Sequence, residues 1–173
     1  MIKVLIINAL RFVPLILLQV LVLNNINFTG YLNPMLYILI LLSLPLETSR
    51  SLMMVFGLIT GLMIDIFTRT PGLHMGACVL LGFLRPSVLQ SLAPRDGYEF
   101  GMKANINDFG LPRYAAYTGV LVLFHHFYLF YAEAFTFSGF FDTLLKAVLS
   151  SIFTFMLIMS FQLFISKRKA NRI

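Results

Sequence analysis

The sequence predicts an all-α integral membrane protein with six transmembrane helices. Three observations lead there. Hydrophobic residues make up 59% of the chain and charged residues only 12%, against about 45–50% and about 25% in a soluble domain. So few charges cannot cover a water-soluble surface, and the mean hydropathy is +0.88. The charges that remain collect at the ends of apolar runs. Finally, 173 residues at roughly 20 per span allow about six spans with short connections and no separate soluble domain.

The first span is expected over residues 4–23, ended by the uncharged polar turn 24–30. Arg11 and Pro14 interrupt this run, and no small-residue cleavage site follows it. It therefore reads as a retained span rather than a removed signal. A second span is expected over 32–46, closed by Pro45, Glu47 and Arg50, and a third over 52–67. Pro71 and Gly72 then force a tight reversal, because both disfavour helix continuation. The fourth span covers 73–92 if it passes Pro86. Stopping at Leu84 leaves about 18 Å of helix, short of the about 30 Å of hydrocarbon. In the long reading Arg85 lies within the membrane, and in the short one it snorkels to the interface. Residues 93–112 form the longest polar stretch, before a fifth span at 114–132, a sixth at 144–165 and a basic tail.

Orientation follows from Lys and Arg placement, since positive loops stay cytoplasmic. With both termini inside, the inner face carries Lys3, Arg50, Arg95, Lys103, Arg113, Lys167, Arg168, Lys169 and Arg172, against Arg69 outside. An even number of spans agrees with that placement. The net charge of +6 thus points to anionic membrane lipids as partners of the tail, and not to nucleic acid.

Polar groups inside apolar helices are costly and define the candidate site residues. Asn8, Arg11 and Gln19 project at about 0°, 300° and 20° around a helix, a stripe facing either a ligand, a partner or neighbouring helices. Gly57, Gly61 and Asp65 recur every four residues along one ridge of the third span, and Gly72 and Gly76 repeat the spacing beyond the reversal. Small residues at that spacing let helix backbones approach closely, so spans three and four read as a close hairpin. Asp65 is expected to organise the turn, with Arg69 as a possible mate. His125 and His126 diverge by about 100° on a helix and do not readily share a metal; interhelical hydrogen bonding is the expectation, and a proton relay the rival. Tyr114, Tyr117, Tyr128 and Tyr131 read as interface anchors and packing groups. The sole cysteine, Cys78, excludes an intramolecular disulfide and multi-cysteine metal sites. No phosphate loop, nucleophile elbow or paired carboxylate is present, so neither catalysis nor a cofactor is expected.

Taken together, Gly57, Gly61 and Asp65, then Pro71, Gly72 and Gly76, then Gly82, Phe83, Leu84, Arg85 and Pro86, preceded by Leu44 and Pro45, resemble the signature of the rod shape-determining protein MreD family. That resemblance implies a multi-pass protein of the bacterial inner membrane that binds MreC. It implies indirect partnership with MreB, RodA and a class-B penicillin-binding transpeptidase in peptidoglycan synthesis. It also implies a fold similar to the six-helix substrate-binding subunit of energy-coupling-factor transporters, which supplies the rival expectation of a vitamin-binding subunit.

Overall fold

The computed structural model describes residues 2–25, 30–99, 101–136 and 139–170, with side chains from Phe12 to Ser166. It is helical, with no strand among the described residues. The helices are α1 (Ile2–Leu21), α2 (Ile38–Leu42), α3 (Arg50–Thr68), α4 (Leu73–Ser91), α5 (Ile106–Phe109), α6 (Leu111–Ala134) and α7 (Phe140–Ala170). Four of these, α3, α4, α6 and α7, are long and apolar enough to cross a membrane. Nineteen residues, the length of α3 and of α4, make about 28 Å of helix. Much of their surface is exposed and apolar: Val55, Leu58, Ile59, Leu62 and Ile66 stand out from α3, and Ile152, Met156 and Phe164 from α7. In water such faces would drive aggregation; against lipid they are solvated. The chain is a multi-pass membrane protein.

The helix ends follow local chemistry. Ser49 caps α3 by accepting from Leu52 N–H, and Arg69 ends it in the left-handed region at φ 58°. Helix α4 continues past Pro86 to Ser91 and does not stop at Leu84. Asn105 caps α5 through Asp108 N–H, and Pro112 sits in the first turn of α6, where its missing N–H costs nothing. Two reversals, between α3 and α4 and between α6 and α7, mark one end of the bundle, here the hairpin end. The segment 93–110 and the start of α3 mark the opposite, loop end: Tyr98 donates to Leu89 O, and Glu47 accepts from Gly101 N–H.

The expected span at 32–46 needs correction. Only Ile38–Leu42 is α-helical, preceded by turns in which Ile38, Leu39 and Ile40 donate three residues back. It is the best-buried part of the molecule, with Tyr37, Ile38, Leu41 and Leu42 fully enclosed. Its start lies at the hairpin end, where Asn33 and Pro34 share a cleft with Thr68, Leu73 and Glu133. Its finish lies at the loop end beside Glu47. The segment therefore runs the length of the bundle through its core, touching helices rather than lipid. Such backbone survives in an apolar interior only if its polar groups find protein partners.

Candidate functional site

Those partners come from α1, α4, α6 and α7. Gln19, 1% exposed, donates to Pro34 O at 2.8 Å and accepts from Leu36 N–H at 2.8 Å, while its amide also reaches Asn24. From α7, Ser150 accepts from Asn33 N–H and donates to Tyr31 O, and Thr154 accepts from Met35 N–H at 3.0 Å. The polar stripe of the first span is thus, at Gln19, a grip on the chain's own backbone. The side chains of Asn8 and Arg11 lie outside the described residues.

Arg85 is 0% exposed and does not snorkel. Its Nε donates to Tyr117 Oη at 2.7 Å. Its two Nη groups reach Leu42 O, Leu44 O and Pro45 O, with Met53 Sδ alongside. These carbonyls form the open C-terminal end of α2, where the backbone leaves unpaired acceptors and partial negative charge. A guanidinium presents five donors in a rigid fork and suits several carbonyls at once. Among the described residues no carboxylate pairs with Arg85; the one ion pair is Lys146 with Glu133 at 3.2 Å. Tyr117 also donates to Leu42 O. It is fully buried, as is Tyr114, so neither is an interface anchor; Tyr128 is the one that stands half-exposed.

The glycines divide into two kinds. A Cβ on Gly57 would collide with the Cys78 carbonyl, and one on Gly61 with the backbone of His74 and Met75. Gly82 faces Met53 O in the same way, so three glycines set the closeness of α3 and α4. Gly76 faces Tyr128 of α6 instead, and not α3. Gly72 has open space around it, and its role is conformational, with φ at +90° in the turn.

Asp65, 4% exposed, reaches across that turn. Its carboxylate accepts from Gly72, His74 and Met75 N–H at 3.0, 3.0 and 3.1 Å and from Thr70 Oγ1 at 3.1 Å. It caps the start of α4, where free N–H groups and the helix dipole favour an anion. Arg69 is not its mate among the described residues. Asp65→Asn is expected to lower the stability of the detergent-solubilised protein by on the order of 1–2 kcal/mol, since one oxygen acceptor survives. Asp65→Leu leaves three backbone N–H groups without an acceptor, the Thr70 hydroxyl keeping Thr68 Oγ1, and is expected to cost about two to three times as much. Thermal unfolding of the two variants checks the order, and equal midpoints would contradict it.

Below the cap lies a group of buried polar side chains. Tyr37 Oη is 2.8 Å from His74 Nδ1 and 3.1 Å from His125 Nε2, and Cys78 Sγ lies 3.9 Å from the same His125 nitrogen. His126 Nδ1 donates to Val122 O at 2.9 Å, so its Nε2 accepts from Thr154 Oγ1 at 3.1 Å. The two histidines of α6 do bond to other elements, to Tyr37 and to α7. The described residues contain no group of three His, Cys, Asp or Glu arranged to hold a metal ion. Nothing in the sequence singles out Tyr37, Ser150 or Thr154, because a tyrosine or hydroxyl in an apolar run carries no spacing rule.

Two hollows flank this core. A cleft of about 470 Å³ opens at the hairpin end, lined among others by Asn24, Asn33, His74, Glu133 and Lys146. A groove of about 420 Å³ lies between α1, α2, α5 and α7, with apolar walls of Leu15, Leu18, Ile40 and Phe161. Compared with protein-family models, with curated proteins and with solved structures, the chain shows no match.

Proposed function

We propose that this chain is a non-enzymatic membrane scaffold of the bacterial cell-elongation machinery. In this reading it binds MreC and, through it, helps MreB filaments, RodA and a class-B penicillin-binding transpeptidase to build peptidoglycan along a rod. One observation carries the reading. Gln19, Asp65, Arg85, Ser150 and Thr154, five of the buried polar groups set among apolar segments, are engaged with the chain's own backbone, which suits a shaped surface better than a reaction centre. The glycine hairpin that resembles the MreD signature supports the family assignment. Depletion is expected to turn rods into spheres, and the tagged protein to co-purify with MreC. Normal rods together with no MreC association would overturn the reading.

The same proposal places the protein in the inner membrane with six crossings and both termini cytoplasmic, the segment 30–48 serving as the second crossing. The nine-to-one excess of cations on one face supports this, as does the passage of that segment from the hairpin end to the loop end. Reporter fusions in the 93–110 loop and at the C-terminus are expected to sit on the same face.

A second reading, a substrate-binding membrane subunit of a vitamin transporter, is favoured by the polar-lined cleft at the hairpin end. Pockets of about 300–1,000 Å³ suit small ligands. Tight binding of one compound from a vitamin panel would favour it over the scaffold; no binding across the panel would count against it.

A further inference from the structure

The buried cluster fixes what the cleft at the hairpin end can bind. His125 Nδ1 is enclosed and, among the described residues, has no partner. A neutral imidazole carries its proton on one nitrogen and leaves the other as an acceptor. An enclosed N–H donor without a partner is rarer and costlier than a bare acceptor, so the proton of His125 belongs on Nε2. From there it is donated to Tyr37 Oη, 3.1 Å away. Tyr37 then has its own hydroxyl proton free for His74 Nδ1, 2.8 Å away, a far better acceptor than the Met35 sulfur at 3.4 Å. With Nδ1 accepting, the proton of His74 sits on Nε2.

His74 is 8% exposed and lines the cleft. Its Nε2 has no hydrogen bond among the described residues and is not among the enclosed orphan atoms, so it meets the cleft. The same hollow holds the Asn24 amide, whose oxygen is already bonded to Gln19, leaving its NH₂ free to donate. It also holds Lys146, which binds Glu133 at 3.2 Å and keeps further N–H groups.

We infer that the cleft is a ligand site in which His74 Nε2–H, positioned by the His125–Tyr37 relay, donates to a carbonyl or carboxylate oxygen of a small polar solute. Lys146 and Glu133 balance one another, so the cleft suits a neutral or singly charged ligand rather than a polyanion. The inference goes beyond the scaffold reading and does not depend on it.

The test uses the full chain in nanodiscs with ¹⁵N-labelled histidine, and N-acetylglycine and its amide as probes. His74 is expected to be Nε2-protonated, and its Nε2 resonance to move saturably with at least one probe. Response to the acid alone assigns the site to carboxylates, and response to both assigns it to carbonyl oxygens generally. Tyr37→Phe removes the relay, and is expected to give a mixture of His74 tautomers and to weaken probe binding about two- to fivefold, as the Nε2-protonated form becomes only a fraction of the population. Should that variant not fold, Lys146→Met, at a partly exposed position, is expected to weaken the acid and spare the amide. A His74 protonated on Nδ1, or no saturable response to either probe, would overturn the inference.

Discussion

Replacing Arg85 by leucine is expected to remove folded protein from the membrane. The substitution leaves Leu44 O without its donor and deprives Tyr117 of its charged neighbour, while Pro45 O keeps the N–H and hydroxyl of Thr48. Leu42 O keeps one bond, from Tyr117. A carbonyl stranded in an apolar interior costs about 1–3 kcal/mol, and the lost packing of the guanidinium adds to it, against a typical stability of about 5–15 kcal/mol. Arg85→Lys keeps a cation but not the fork, so it should hold one or two of the carbonyls and fall between leucine and wild type. Thermal stability in mild detergent, followed by size-exclusion chromatography, reads the order. A leucine variant as stable as the parent would mean that the end of α2 finds donors elsewhere, and the account of Arg85 would be wrong.

The second large effect is expected at Gly61. A leucine there meets the backbone of His74 and Met75, which cannot rotate aside as a side chain can. The helices must part, and the separation pulls the start of α4 away from Asp65 and shifts His74. Overpacking of this kind costs about 1–3 kcal/mol for a methylene or two; a four-carbon wedge against backbone lies at or beyond the upper figure. Gly61→Leu is therefore expected to lose most of its expression, and Gly82→Ala, facing Met53 O at 2.6 Å, to lose part. Gly76→Ala should be milder, because Tyr128 is a side chain with room to turn. Leu62→Ala removes a lipid-facing group, 43% exposed, and should be close to neutral. Equal expression of Gly61→Leu and Leu62→Ala would contradict the close hairpin.

Composition alone was enough to read lipid as the solvent, because apolar surface on that scale has no other stable environment. The glycine ridge and Asp65 were legible too, since close helix approach demands small residues at four-residue spacing. Gly76 is legible as a packing glycine but its partner is not, because the same spacing serves any helix, and here it serves α6. That the second span is not one continuous helix has a reason visible in the sequence. Pro34 and Pro45 leave ten residues between them (35–44), too few for a continuous helix of the roughly 20 residues that cross a bilayer. Hydrophobicity cannot separate a chain buried in lipid from one buried in protein. The partners of that segment were harder still to find: Ser150 and Thr154 lie far along the chain from Asn33 and Met35, and only the fold brings them together.

That distance in sequence has a consequence for biosynthesis. Tyr31, Asn33 and Met35 are joined to residues 117 to 119 positions later, and α7 leaves the ribosome after the other helices described above. Until it arrives, the early segment holds amide groups that oil cannot satisfy, so it has no stable seat in the bilayer. Assembly of this protein is for that reason not a procession of helices entering one by one. The turn at 31–35 is expected to take its seat only when α7 packs against it.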